Sequence, residues 1–305
     1  MLGDTFYGQL IKVTNKNINA VKWRIWINNK MVILIATKGR YKLLKRTLTS
    51  ISMCVLPKSL SKVIVVENGR NRKTESLVLD FSSKLPIHYE YINVANKSIA
   101  LNFVLKKLSN CLVLLTDDDV RFHPETLLVY EKASFNTTHG VFYGGRVEVD
   151  YEKEPREWLK LYLPSSARGW KHPSDCPPYF LGINWVAYVD DIRNAGFFNP
   201  NLDVNRNMGV ETDMQIRLIQ NGISRKYLHH AVVWHYVPKS RCSPIWTLKR
   251  AYKIGFFGEG IFAEPRELDF IDYPKWMNRN LFRENTIPFL KRISSINLHK
   301  IYGKL

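Results

Sequence analysis

From Met31 onward, short unbroken apolar runs alternate with stretches where apolar residues recur every three or four positions. The runs VILIA after Met31, KVIVV before Glu67, IHYEYI, and CLVLLT before Asp117 are too short for helices and are bounded by polar clusters. They predict strands, buried ones where the run is apolar throughout and a plain strand at IHYEYI. Helices are predicted between them over about 41–53, 73–84 and 98–108. Strand and helix in strict alternation with short loops predict a parallel, doubly wound α/β sheet. Beyond Pro124 the pattern changes. A helix is predicted over about 124–135, followed by GVFYGGRVEVDY, which alternates as an antiparallel strand. Its Gly144-Gly145 pair marks either a close approach of ligand or backbone or a bulge. Residues 151–178, rich in Trp, Pro and charge, read as a long functional loop. YFLGINWVAYV is strand-like and leads into a short helix near 190–195. MGVETDMQIRLIQNG reads as a helix with an acidic start, ended by Gly222. RKYLHHAVVWHYV is a strand running into His235. Residues 1–30 show little periodicity and read as an N-terminal extension, whereas the last stretch, from about 245, is helical, basic and aromatic.

The polar residues at the strand ends carry the chemistry. Four successive strands finish on Thr37, Glu67, Asn93 and Asp117, all facing one sheet edge. Ligands of parallel α/β sheets bind just outside such carboxyl ends. Asp117, Asp118 and Asp119 follow the last of these runs. Three adjacent carboxylates repel one another and have no packing use there. They suit a hard divalent cation with a bound phosphate; the alternative is a solvated acidic loop capping the next helix.

Composition narrows the partners without choosing among them. The chain has 305 residues, long enough for one large α/β domain or two small ones. Its 45 Lys and Arg against 27 Asp and Glu give a net charge of +18, spread along the chain. That favours nucleic acid, anionic membrane or phosphate-bearing substrates. Cys54, Cys111, Cys176 and Cys242 form no CxxC pair, so neither a zinc site nor a disulfide framework is expected, and a reducing cytoplasm fits. No apolar run approaches the ~20 residues that span a bilayer, and the N-terminus lacks a signal-peptide core. A cytoplasmic protein, at most peripheral at the membrane face, is expected.

In this order ILIATKGR, VIVVENG, NKSIALN, LLTDDD, YGG, GFFNPNL, GVETDMQIRL and VVWH closely resemble family 2 glycosyltransferases of the GT-A fold. The likeness covers roughly residues 31–240. It implies a Rossmann-like, mostly parallel central sheet with helices on both faces and a small antiparallel acceptor-side portion. It divides that domain into a nucleotide-binding half, 31–120, and an acceptor and catalytic half, 121–240, before a basic helical segment at 241–305. The implied activity is transfer of a sugar, with inversion, from a nucleotide-diphosphate sugar to an acceptor hydroxyl. The implied setting is cell-surface glycan or polysaccharide synthesis on a glycan or lipid-linked acceptor, with Mn²⁺ or Mg²⁺ as cofactor. Carried over by position, Thr37, Arg40, Glu67, Lys97 and Asn102 line the donor pocket. Asp119 is the metal ligand, Asp117 its ribose-side partner, and Asp118 a structural member of the donor-side group. His235 completes the metal or diphosphate site. The family's base motif is altered here: Glu211 stands in for the usual aspartate, with Asp213 as the second choice.

Without the resemblance, Glu211 and Asp213 need be no more than favourable charges at a helix start, and His235 a core histidine. Trp158, Trp170 and Trp185 could offer faces to a sugar, Trp170 most of all because of its irregular surroundings, although a core role is commoner for Trp. Three other functions remain as alternatives. A catalytically inactive nucleotide-sugar-binding relative is kept alive by the altered base motif. A sugar-phosphate nucleotidylyltransferase would need a richer glycine loop than TKGR. A nucleic-acid-binding protein is not expected, because acidic residues at the sheet edge repel phosphate unless a metal intervenes. The sequence from Phe282, FRENTIPFLKRISSINLHKIYGKL, mixes apolar and basic residues as an interfacial helix can, or as a basic helix packed on the domain.

Overall fold

The computed structural model describes residues 30–70, 72–172, 178–205 and 209–252. The expected N-terminal extension, Cys176 and the C-terminal amphipathic segment lie outside the described residues, apart from Lys30 and the helical stretch 244–252. The described chain falls into two compact units. One comprises 30–153 with 165–239, and the other 154–164 with the residues from 240.

The first unit is built on one sheet of eight strands. β1 (Lys30–Thr37), β2 (Leu60–Asn68), β3 (Ile87–Ile92) and β4 (Cys111–Asp117) form its parallel half in the order β3-β2-β1-β4. Their residues alternate between two cores. Met31, Ile33, Ile35, Leu112 and Leu114 pack on one face; Val32, Leu34, Ala36, Val113 and Leu115 pack on the other. Burial on both faces is why β1, β2 and β4 are apolar runs, whereas the edge strand β3 is only partly buried and carries His88 and Glu90. α1 (Tyr41–Ser52) covers the first face through Leu44, Leu48 and Ile51. α3 (Lys97–Leu105), which follows the short α2 (Glu75–Leu79), covers the second through Ala100, Leu101 and Val104. α2 is shorter than the predicted 73–84. Tight turns with three-residue hydrogen bonds replace its second half, and Pro86 disfavours helix at the residue before it.

The antiparallel portion begins at β4. β5 (Val120–Phe122) immediately follows the aspartates, and α4 (Thr126–Ser134) leads to β6 (Val141–Tyr151). α5 (Glu157–Lys160), in the second unit, and α6 (Ser165–Arg168), in the first, occupy the segment read as a loop. Only Trp185–Tyr188 of the run YFLGINWVAYV forms a strand, β7. α7 (Val189–Asn194), α8 (Pro200–Asn205) and α9 (Val210–Gln220) then lead to β8 (Ser224–Val237). β7 pairs antiparallel with β4 and β6, β6 runs parallel to β8, and β5 closes the edge against β8.

Side chains guard the irregular points. β5, unanticipated from the sequence, is an edge strand whose outward N–H groups need partners. Val120 and Phe122 donate to Thr47 Oγ1 and Ser50 Oγ of α1, both at 3.1 Å. The glycine pair serves both anticipated roles. The β6–β8 register jumps from Gly145 opposite Leu228 to Arg146 opposite Val232. A Cβ on Gly144 would lie 2.0 Å from the Phe180 ring, and one on Gly145 2.1 Å from Ala231 O. Asn184 closes this irregularity. Its amide donates to Arg146 O and Ala231 O, both at 2.9 Å, and accepts from the Tyr130 hydroxyl at 2.8 Å. Trp185 is fully buried against Phe142 and Phe198. Trp170 exchanges backbone bonds with Val147 and packs edge-on against Tyr227 and Phe180. Trp158 lies in α5 of the second unit.

Candidate active site

The parallel register delivers the polar strand ends together. Thr37 pairs with Glu67 across β1 and β2, and Ala36 with Asp117 across β1 and β4. The site grows around the three aspartates at this edge.

Asp118 points inward and is fully buried. Thr37 Oγ1 donates to its Oδ2 at 2.5 Å, and Arg40 grips both of its oxygens, with Nε at 3.1 Å from Oδ2 and Nη2 on Oδ1. Arg40 Nη1 reaches on to Asp119 Oδ2 at 2.8 Å. Burial opposes the guanidinium charge, but Asp119 and Asp118 outweigh it and raise the Arg40 pKa. Burial pushes the Asp118 carboxyl up to about 6, against the pull of Arg40 and the Thr37 hydroxyl. Thr37 and Arg40, expected at the donor, here lock the aspartate loop through charge-assisted bonds.

Asp119 is held between Arg40 and His235. Its Oδ1 lies 3.5 Å from His235 Nε2. His235 Nδ1 lies 2.5 Å from Ser166 O in α6. A carbonyl only accepts, so Nδ1 carries a proton and Nε2 faces Asp119. Burial works against an imidazolium there; Asp119 and the Ser166 carbonyl prevail and raise the His235 pKa. The same anchoring, with one ring nitrogen tied to a carbonyl and the other presented, is how metal-binding histidines are oriented. Among the described residues, no group of three or more His, Cys, Asp or Glu side chains forms a ready-made cage. Mg²⁺ needs only one or two protein carboxylates when phosphates supply the rest, and an imidazole suits Mn²⁺ as well. Asp119 Oδ1 and His235 Nε2 therefore fit a divalent cation. Asp117 is turned away toward Lys97.

Lys97 links the strand tips to α9. As the first residue of α3, it places Nζ 2.6 Å from Asp117 Oδ1 and 2.6 Å from Glu211 Oε1. Burial opposes its charge, and the two carboxylates overcome this and raise its pKa. The Asn96 side chain caps α3 by accepting from Ile99 N at 2.9 Å. Gly209 opens α9 in the left-handed region, φ 79°. Asp213 pairs with Arg217, one turn further along α9, at 2.7 and 3.1 Å. Glu211 alone of the two is bonded into the aspartate–lysine cluster.

Two expected donor contacts are engaged elsewhere. The buried Glu67 carboxylate accepts from Lys73 N, Thr74 N, the Thr74 hydroxyl and the Tyr89 hydroxyl at 2.7–3.1 Å. It shapes the loop after β2. Asn102 clasps the backbone of Phe198, donating to its carbonyl at 2.8 Å and accepting from its N–H at 2.9 Å. That bond holds the GFFNPNL loop, where Phe197 adopts φ 61°. Residues unmarked by sequence reasoning complete the frame. Gln215 bonds both backbone groups of Phe180, at 2.7 and 3.2 Å; Thr116 donates to Ile183 O at 2.8 Å. The position of Gln215 on an apolar helix face, between Met214 and Leu218, is the one signal that could have found it.

This architecture recurs in known proteins. Structures similar to the chain include S. aureus TarS 1–349, with TM-score 0.54 and 15% identity over 68% of this chain and 60% of that one. The Pyrobaculum calidifontis mannosyltransferase PcManGT, in complex with GDP-Man and Mn²⁺, has TM-score 0.55 and 19% identity over 84% of this chain and 76% of that one. GalNAc-T7 with UDP, GalNAc and Mn²⁺ has TM-score 0.56 and 11% identity over 89% and 58%. These likenesses show a shared GT-A fold, and the chain spans only 60% of the TarS fragment's length. No curated protein sequence matches. The family description "Glycosyl transferase family 2" matches residues 32–197, more than half of the chain and all of the strand-end cluster up to the aspartates. On that match and this fold, the chain belongs to glycosyl transferase family 2.

Proposed function

We propose that this protein transfers a sugar from a nucleotide-diphosphate sugar to an acceptor hydroxyl, with inversion at the anomeric carbon. The observation that carries the reading is the ammonium of Lys97 bridging Asp117 and Glu211 at 2.6 Å on each side. It joins the edge where a nucleotide would lie to an acidic helix start where an acceptor would approach. Asp119 and His235 would hold a divalent cation, which supplies charge stabilisation for the departing diphosphate. Lys97 and Arg40 add positive charge at the same edge. Glu211 accepts the acceptor's proton as the acceptor oxygen bonds to the anomeric carbon. The bond from that carbon to the diphosphate oxygen breaks, and its electron pair leaves with the nucleoside diphosphate. Family membership and the nucleotide sugars bound by PcManGT and TarS support the donor class.

The net charge of +18 supports an anionic setting, with a glycan or lipid-linked acceptor in cell-surface polysaccharide synthesis at the cytoplasmic face of a membrane. Among the described residues no helix is long and apolar enough to cross a bilayer. The test is a panel that includes UDP-GlcNAc and GDP-mannose, scored for turnover and for nucleoside-diphosphate binding with Mn²⁺, Mg²⁺ or chelator. Metal-dependent binding of one nucleoside diphosphate is expected. Its absence across the panel would sink the reading.

A further inference from the structure

Glu211 reaches Lys97 at the end of a two-methylene stem, and the structure shows what that stem packs against. The three heavy atoms nearest to a Cβ added at Gly182 all belong to Glu211: Cγ at 2.4 Å, Cδ at 2.6 Å and Cβ at 2.8 Å. Real Cβ atoms are essentially never this close to another heavy atom. Gly182 does not need glycine for its own backbone, since, like Gly144 and Gly145, it lies outside the positive-φ region. The requirement is space, and Glu211 fills it.

The loop around Gly182 is fastened on both sides. Gln215 bonds Phe180 N and O. Thr116 bonds Ile183 O, and Asn184 is tied to Arg146, Ala231 and Tyr130. Gln215 and Glu211 share one helix, so loop and glutamate are fixed to the same element. A side chain at 182 therefore cannot be relieved by withdrawing the loop without breaking buried hydrogen bonds. A rotation of Glu211 clears Cγ and Cδ, though not Cβ at 2.8 Å, and takes its carboxylate off Lys97 Nζ at 2.6 Å.

We propose that Gly182 is a positioning residue for Glu211: its bare Cα is the seat of the glutamate stem, while Lys97 fixes the carboxylate at the other end. The pair Gly182–Glu211 is then the local solution that lets this chain present a longer carboxylate at the site. The inference rests on Glu211 as base for its catalytic meaning, but the steric coupling stands apart from it.

The test uses the full chain and a cycle of Gly182→Ala, Glu211→Ala and the double variant, followed by thermal melting. Gly182→Ala is expected to lower Tm by roughly 3–8 °C in the parent, as overpacking does, and by less than about half as much when residue 211 is alanine, which removes the Cγ and Cδ contacts and leaves only that of Cβ at 2.8 Å. Equal losses in both backgrounds, or no loss in either, would overturn the proposal. A second arm measures UDP binding with Mn²⁺ by calorimetry, together with turnover of whichever panel donor the parent uses. Gly182→Ala should cut turnover at least tenfold and leave UDP affinity within about twofold. A matching loss of affinity would assign Gly182 to the donor pocket and overturn the positioning role. If the parent neither binds UDP nor turns over a donor, the function reading fails, and the melting cycle still decides the coupling. If Glu211→Gln retains transfer, the base assignment fails and the coupling again stands separately.

Discussion

The duties proposed for Asp119 and Glu211 are separable, and single substitutions can read them apart. Asp119 faces His235 Nε2 at 3.5 Å, whereas Glu211 joins the cluster only through Lys97. Asp119→Ala should abolish Mn²⁺-dependent UDP binding in calorimetry. Unchanged binding would move the cation to Asp117. Glu211→Gln should leave that binding intact and lower transfer by about 10²–10⁴-fold, the usual worth of a general base. Asp213→Asn should lower transfer far less, since Asp213 is engaged by Arg217; the reverse ranking would exchange their roles. The aspartate triplet and both helix carboxylates were legible in the sequence. Their partners were not. Arg40 and Thr37 read as donor contacts, yet they bind Asp118, because a fully buried carboxylate must be paired. Glu67 turned from the site for the same reason, finding backbone N–H groups in the loop after β2.

At the scale of elements, hydrophobic period was a reliable guide where regular backbone pairing carries the element, in strands buried on both faces and helices buried on one. β1, β2 and β4 appear where the apolar runs stand, and α1, α3 and α9 where the helical period stands. It was a poor guide where side-chain hydrogen bonds substitute for regular pairing. YFLGIN has strand-like composition, but Gln215 and Thr116 take its backbone groups, and the strand starts only at Trp185. Gln215→Leu leaves Phe180 N and O buried and unpaired and should destabilise the fold by about 1–3 kcal/mol. Denaturant unfolding would measure it, and a change under about 0.5 kcal/mol would show that the loop finds other partners. Thr47→Val removes the acceptor for Val120 N with almost no change of shape. A loss of about 1–3 kcal/mol is expected, and wild-type stability would show that the β5 edge is satisfied without α1.

For the whole molecule, charge and fold act on different partners. The net charge of +18 is a property of composition. It should draw the full chain onto vesicles containing anionic lipid at low salt and release it near 1 M salt, where screening falls to about 3 Å. No sedimentation with such vesicles at low salt would remove the membrane setting from the proposal. The sequence by itself determined the doubly wound sheet, the edge at which the polar strand ends gather, and the family. Those follow from local periods and from strand ends, and each is written in contiguous residues. Only the tertiary structure decided which carboxylate meets which cationic side chain, and which polar residues bond within the frame. Lys97 and Glu211 lie 114 positions apart, and Thr37 and Asp118 81 apart. Asp117, Asp118 and Asp119 are nearly equivalent as text. They differ in setting because burial and the direction of each side chain give them Lys97, Arg40 with Thr37, and His235 as separate partners. Gly182 shows the same physics in reverse, where the missing atom matters only because a residue from another element occupies its place.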